Sequence, residues 1–185
     1  MWPNSGEVTN ALISGEIDVA FLPVDEERKK RVGFGPAYFV AESTYLVRAG
    51  SDIQSIAEVD RAGVRVVGIA NTATFRSVSQ LLKNAKLQPA TSVDQALNAL
   101  RSGEADALAM PRDALGPLAA NVPGSRILDG AYQRLSIAIA VPSNRPNALA
   151  YVSTFMEDAK ASGIVRRALD SAGFKDAPVA PSGTP

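Results

Sequence analysis

Hydrophobic positions fall into helix-length and strand-length rhythms that alternate along most of the chain. Val93, Leu97 and Leu100 recur at i, i+4 and i+7, the spacing of one helix face. Ser92 and Gln95 stand ahead of them as a capping box, and Gly103 follows where a helix ends in a left-handed residue. The apolar run Ala107-Leu108-Ala109-Met110 then reads as a strand. The same succession opens the chain. Asn4 and Glu7 cap a helix with Val8, Ala11 and Leu12 on its face, Gly15 stops it, and Val19-Ala20-Phe21-Leu22 is the strand. The two copies share letters as well as rhythm: Ala11–Asp18 and Ala99–Asp106 agree at six of eight positions. Two well-separated copies of one αβ unit point to two similar α/β lobes rather than a solenoid, whose repeats are contiguous.

Between and beyond the copies the pattern predicts a helix over 26–31 and an extended crossing run over 38–47. A short helix follows over 56–61, then the β-branched strand Val64–Ala70 ahead of an Asn71-Thr72 turn. A helix over 73–84, a strand over 86–89, a helix over 112–120 and a strand over 126–128 come next. A second extended run, 135–141, carries the chain back to an amphipathic helix over 144–161 with Leu149, Val152, Met156 and Ala159 on one stripe. Gly163 and Gly173 bracket a last helix. The proline-rich end, 176–185, has no periodicity and is expected to be disordered. Strands alternating with helices predict an α/β fold with mostly parallel sheets.

The chain has 185 residues, 46% of them hydrophobic, enough for a real core. Nineteen basic residues balance nineteen acidic ones, which argues against a nucleic-acid partner. The absence of both Cys and His removes thiol and imidazole catalysis and most zinc or haem ligation. No metal and no cofactor is expected. Met1–Glu7 has neither the basic nor the apolar region of a secretory signal, and no apolar stretch is long enough to span a membrane.

Several segments carry a family likeness: Gly15-Glu16-Ile17-Asp18-Val19-Ala20-Phe21, Asp25-Glu26-Glu27-Arg28-Lys29-Lys30, Phe34-Gly35-Pro36-Ala37-Tyr38 and Tyr45-Leu46-Val47. With Val66-Val67-Gly68-Ile69-Ala70-Asn71-Thr72, they resemble the extracellular solute-binding proteins of family 3, components of polar amino-acid ABC transporters. The resemblance implies a two-lobed, type II periplasmic-binding fold with an incomplete first lobe, since the family's opening strand, helix and strand have no counterpart here. It places the first lobe in 1–40 and 136–175 and the second in 41–135. It implies capture of a small anionic or zwitterionic ligand, an amino acid or organic acid, between the lobes. A membrane permease as partner and a periplasmic location follow from the same resemblance. A non-enzymatic role is expected. The alternatives are a cyclohexadienyl dehydratase-like enzyme of the same fold and a ligand-sensing regulatory module.

Arg28 is the foremost candidate contact, because a guanidinium fork grips a carboxylate through two parallel hydrogen bonds. On composition alone it could equally pair with Asp25 or Glu26. Asn71 and Thr72 sit where a strand gives way to a helix, and such N-termini favour anions, although a plain cap is equally served there. Pro23 takes part of the place of the family's Thr-x-Thr. Pro111 aligns with the Asp that holds a ligand's ammonium group, so Arg112 or Asp113 would have to substitute, and common polar amino acids are expected to bind weakly. Finally, with its neighbouring strands missing, the edge of Ile17–Leu22 is expected to pair the chain with itself as a homodimer.

Overall fold

A computed structural model of the chain describes residues 2, 4–175 and 177–183. The chain divides into two compact units. One holds Glu7–Ala41 and the residues from Leu135 onward; the other holds Glu42–Arg134 with the opening residues up to Gly6. Two of the boundaries fall inside long strands and the third inside the first helix.

In the first unit, helix α1 (Ser5–Ser14) leads through Gly15 into β1 (Ala20–Pro23). Helix α2 (Glu26–Lys29) follows, and then β2 (Val32–Val47), which runs on into the second unit. Strand β7 (Gln133–Pro142) returns and pairs antiparallel with β1, Ala20 opposite Ala140, so the local order is β1–β7–β2. Helices α6 (Pro146–Ala161) and α7 (Ile164–Ser171) complete the unit. Leu12, Ala20, Leu22, Val32 and Ala140 fill one face of the sheet. Ile139, Met156, Ala159, Val165 and Leu169 fill the other.

Strand β2 begins six residues earlier than its hydrophobic pattern suggests. Gly33 and Gly35 look like breakers but serve close packing against α6. A Cβ at Gly33 would lie 3.3 Å from Leu149, and one at Gly35 3.3 Å from Val152. The chain end also departs from the expectation of disorder. Val179 bridges to Phe39, the Ala180 N–H donates to the Tyr38 carbonyl at 3.1 Å, and Lys160 Nζ donates to the Pro181 carbonyl at 3.0 Å. A buried Ala180, one tail N–H that donates and one tail carbonyl that accepts hold what composition alone does not. Residues 176, 184 and 185 lie outside the described residues.

The second unit is a sheet in the order β2–β5–β3–β4, with β6 (Arg126–Ile127) also on β2. Strands β3 (Arg65–Ile69), β4 (Lys86–Ala90) and β5 (Ala107–Pro111) are mutually parallel, while β2 runs antiparallel to β5. A 3-10 turn (Ile56–Val59) precedes β3. Helices α3 (Ala73–Leu81), α4 (Val93–Ser102) and α5 (Arg112–Ala119) follow β3, β4 and β5 in turn. Helix α3 stops short of residue 84 because the Asp60 carboxylate captures the N–H groups of Lys83, Asn84 and Ala85 at 2.7–3.0 Å. The capping box ahead of α4 is half as expected. Ser92 Oγ accepts from Gln95 N–H at 3.2 Å, whereas Gln95 Oε1 accepts from Thr91 rather than from Ser92.

The repeat is structural as well as sequential. Gly15 and Gly103 both take left-handed φ, 79° and 75°, and each donates its N–H to the Leu three residues back at 3.4 Å. The correspondence continues past the octet, with Pro23 and Asp25 matching Pro111 and Asp113.

Candidate functional site

The Arg28 side chain is 3% exposed, unusual for a guanidinium. Its Nε donates to Thr9 Oγ1 at 3.0 Å, its Nη1 donates to the Pro23 carbonyl at 3.1 Å, and Asp25 Oδ2 lies 3.5 Å from Nη1. Asp25 has a second task. As the N-cap of α2 its Oδ1 accepts from the N–H groups of Glu27 and Arg28 at 3.0 and 3.1 Å. Pro23, Asp25 and Arg28 thus form one local assembly that fixes the guanidinium before any ligand arrives. Arg28 therefore pairs with Asp25, as its surroundings in the chain allow, and is buried within α2.

Thr9 is the member that sequence reasoning missed. Its signal was available: a hydroxyl three residues before Leu12 lies on the buried side of α1, where an unpaired polar group is costly.

The remaining candidates belong to the second unit. Because β3 and β5 are parallel neighbours, Asn71 and Thr72 share the C-terminal edge of that sheet with Arg112. Thr72 Oγ1 donates to the Ile69 carbonyl at 2.7 Å and accepts from Phe75 N–H at 3.1 Å, so the hydroxyl is spent as a cap. What the α3 terminus offers an anion is therefore the N–H of Ala73 and of Thr74, which have no acceptor within the helix. Phe75 folds back over β3, and a Cβ at Gly68 would lie 3.1 Å from its ring, which accounts for glycine inside that strand.

Asn71 is the one described non-glycine residue at positive φ, 62°. Asn tolerates this conformation better than other side chains. Asn71→Gly should leave stability nearly unchanged, whereas Asn71→Ala should cost about 1 kcal/mol; urea midpoints of the two variants check this. Arg112 acts as a staple. Its Nη2 donates to the Leu128 carbonyl at 3.0 Å and also to the Gly130 carbonyl, and its Nε lies 3.8 Å from Glu42 Oε2.

Residues 3–171 match the model of the bacterial extracellular solute-binding proteins, family 3. The chain belongs to that family. It is 28% identical over 125 residues to a glutamine-binding protein of Geobacillus stearothermophilus, covering 66% of this chain and 47% of the relative. It is 33% identical over 99 residues to the ABC transporter glutamine-binding protein GlnH of Bacillus subtilis, covering 52% and 36%. The chain thus spans less than half the length of either. Among solved structures, an ancestral arginine-binding protein bound to glutamine superposes with a TM-score of 0.82 at 25% identity, over 94% of this chain and 78% of that one. The fold is that of the type II periplasmic amino-acid-binding proteins. Among the described residues no helix is long and apolar enough to cross a membrane.

Proposed function

We propose that this chain is the ligand-capturing part of an ABC-transporter solute receptor that works outside the cytoplasmic membrane, in the periplasm. It binds a small carboxylate-bearing metabolite, an amino acid or organic acid, without covalent chemistry, and its protein partner is the membrane permease. The buried, pre-oriented Arg28 carries this reading: a fixed guanidinium loses little freedom on binding, so most of each charge-assisted hydrogen bond is retained as affinity. Each unit has one anion-attracting feature, Arg28 in the first and the N-terminus of α3 in the second. Arg112 contributes by holding the loop at 128–130 in place. That two curated relatives are named for glutamine binding supports a binder over an enzyme.

A thermal-shift panel of glutamine, arginine, glutamate, cysteine and short dicarboxylic acids tests the reading. At least one should raise the melting temperature in a concentration-dependent way, as any ligand that binds the folded state does. A panel with no hit overturns the proposal, and turnover of a prephenate-like acid overturns the non-enzymatic role.

A further inference from the structure

We infer that residues 177–183 form a strap that braces β2 where this strand leaves the first unit, and that Lys160 is the latch that holds the strap shut. Pro178 and Pro181 push the residues before them, Ala177 and Ala180, toward extended backbone. The segment is thereby preset to lie along a strand, and its prolines leave it less freedom to lose. It lies against Phe39, to which Val179 bridges antiparallel, and the Ala180 N–H donates to the Tyr38 carbonyl at 3.1 Å. Alternate residues of a strand turn their N–H and C=O groups to the same side, so the Val40 N–H faces the strap as well. In the first unit β2 ends the local order β1–β7–β2, and the strap takes the side that β7 leaves. Strand β2 passes into the second unit after Ala41. The strap therefore grips the last stretch of β2 before the crossing.

Three charged side chains of α6 and α7 hold the strap by its backbone. Arg166 donates from Nη2 to the Phe174 carbonyl at 2.6 Å and from Nη1 to the Ala177 carbonyl, which fixes the entry. Glu157 Oε1 accepts from the Gly183 N–H at 3.0 Å, which fixes the exit. Lys160 does more. Its Nζ donates to the Pro181 carbonyl of the strap at 3.0 Å and to the Ala37 carbonyl of β2 at 3.1 Å, with Glu157 Oε1 at 2.8 Å. Among the described residues it is the one of the three that reaches both strap and strand.

Burial singles out the same residue. The Lys160 side chain is 4% exposed. Lysine is almost never covered so completely unless paired, because its ammonium is costly to desolvate. Three acceptors make this burial tolerable, and one of them belongs to the strap. Apolar contact completes the grip: Val179 and Phe174 pack against the cluster around Met156, and the Phe174 and Phe39 rings stand 5.8 Å apart. Backbone openings concentrate where a segment has few such contacts, so removing the latch should free the strap and the stretch of β2 beneath it together.

Residue-resolved amide exchange of the full chain tests this in the parent, in Lys160→Met and in Val179→Asp. The first substitution keeps an unbranched apolar stem and removes the ammonium. The second places a charge at the rim of the Phe39–Phe174 contact, where Val179 is only half-buried. In both variants the Ala180 and Val40 amides should exchange at least about tenfold faster, while those of Leu12 and Leu22 stay within about twofold of the parent. Equal acceleration at all four overturns the inference, because Lys160 then supports the whole unit rather than the strap. Acceleration at Ala180 alone also overturns it, since β2 then needs no brace. Unchanged rates at both Ala180 and Val40 overturn the latch. Should Lys160→Met lose the circular dichroism of the fold, Val179→Asp decides by the same criterion.

Discussion

Arg28→Ala will both unfold the protein more easily and abolish the carboxylate response, and the two losses are separable. Removing the guanidinium takes the Nε donor from Thr9 Oγ1, the Nη1 donor from the Pro23 carbonyl and the cation from beside Asp25. Breaking a buried, hydrogen-bonded charge typically costs 3–5 kcal/mol; at about 3 kcal/mol the melting temperature falls by roughly 6–12 °C in a chain of this size. Arg28→Lys keeps the charge but not the planar fork, so it should recover part of the stability and little of the affinity. Asp25→Asn separates the effects from the other side. Asn still caps α2, so stability should change by no more than about 1 kcal/mol. The neutral amide no longer competes for Nη1 3.5 Å away, so any carboxylate hit should bind several-fold tighter. Calorimetry on the three variants with one hit from the panel decides it. Unchanged affinity in Arg28→Ala, or weaker binding in Asp25→Asn, would remove Arg28 from the site.

Much of this was legible in the sequence for a physical reason: the repeat writes its structure locally. Gly15 and Gly103 announce helix ends because few other residues accept their φ, and Ser92 announces a start because its hydroxyl meets a backbone N–H two to three residues on. What stayed hidden depends on residues distant in the chain. Nothing near residue 84 says that Asp60 will take its N–H, and nothing near Gly33 says that Leu149 will press against it. The site divides in the same way. The surroundings of Arg28 in the chain mark it as a candidate, but its partner Thr9, 19 residues away, comes only with the fold. The place of Arg112 at a strand end is legible in its neighbours, while its hydrogen bonds to carbonyls at 128 and 130 come only with the fold.

Asp18 and Asp106 hold the same place in the repeat, and only one of them should matter to stability. Asp106 opens β5 beside the first residue of β3 and the end of β2. Its Oδ1 accepts from Arg48 Nε at 3.0 Å and Arg65 Nη2 at 2.9 Å, and its Oδ2 accepts from Arg65 Nε and from the Arg65 backbone N–H, both at 3.0 Å. Desolvation pushes this carboxyl up, but the hydrogen bonds from Arg65 and Arg48 outweigh it and hold it down at about 2. A carboxyl whose folded value lies below its unfolded one stabilises the protein fully above the ordinary carboxylate range. That contribution is lost as pH falls through about 4 toward 2. The displacement corresponds to about 2 kcal/mol. Urea midpoints measured from neutral pH down to pH about 2 should therefore drop less steeply in Asp106→Asn than in the parent. The variant should already be about 2 kcal/mol less stable at neutral pH, because its amide cannot accept from two arginines and a backbone N–H at once. Asp18→Asn should leave the midpoint at neutral pH unchanged, since an 85% exposed carboxylate 3.8 Å from an exposed Arg145 forms only a solvent-screened ion pair. Parallel curves for Asp106→Asn and the parent would show that the three strands are held at this end by their backbone ladder alone.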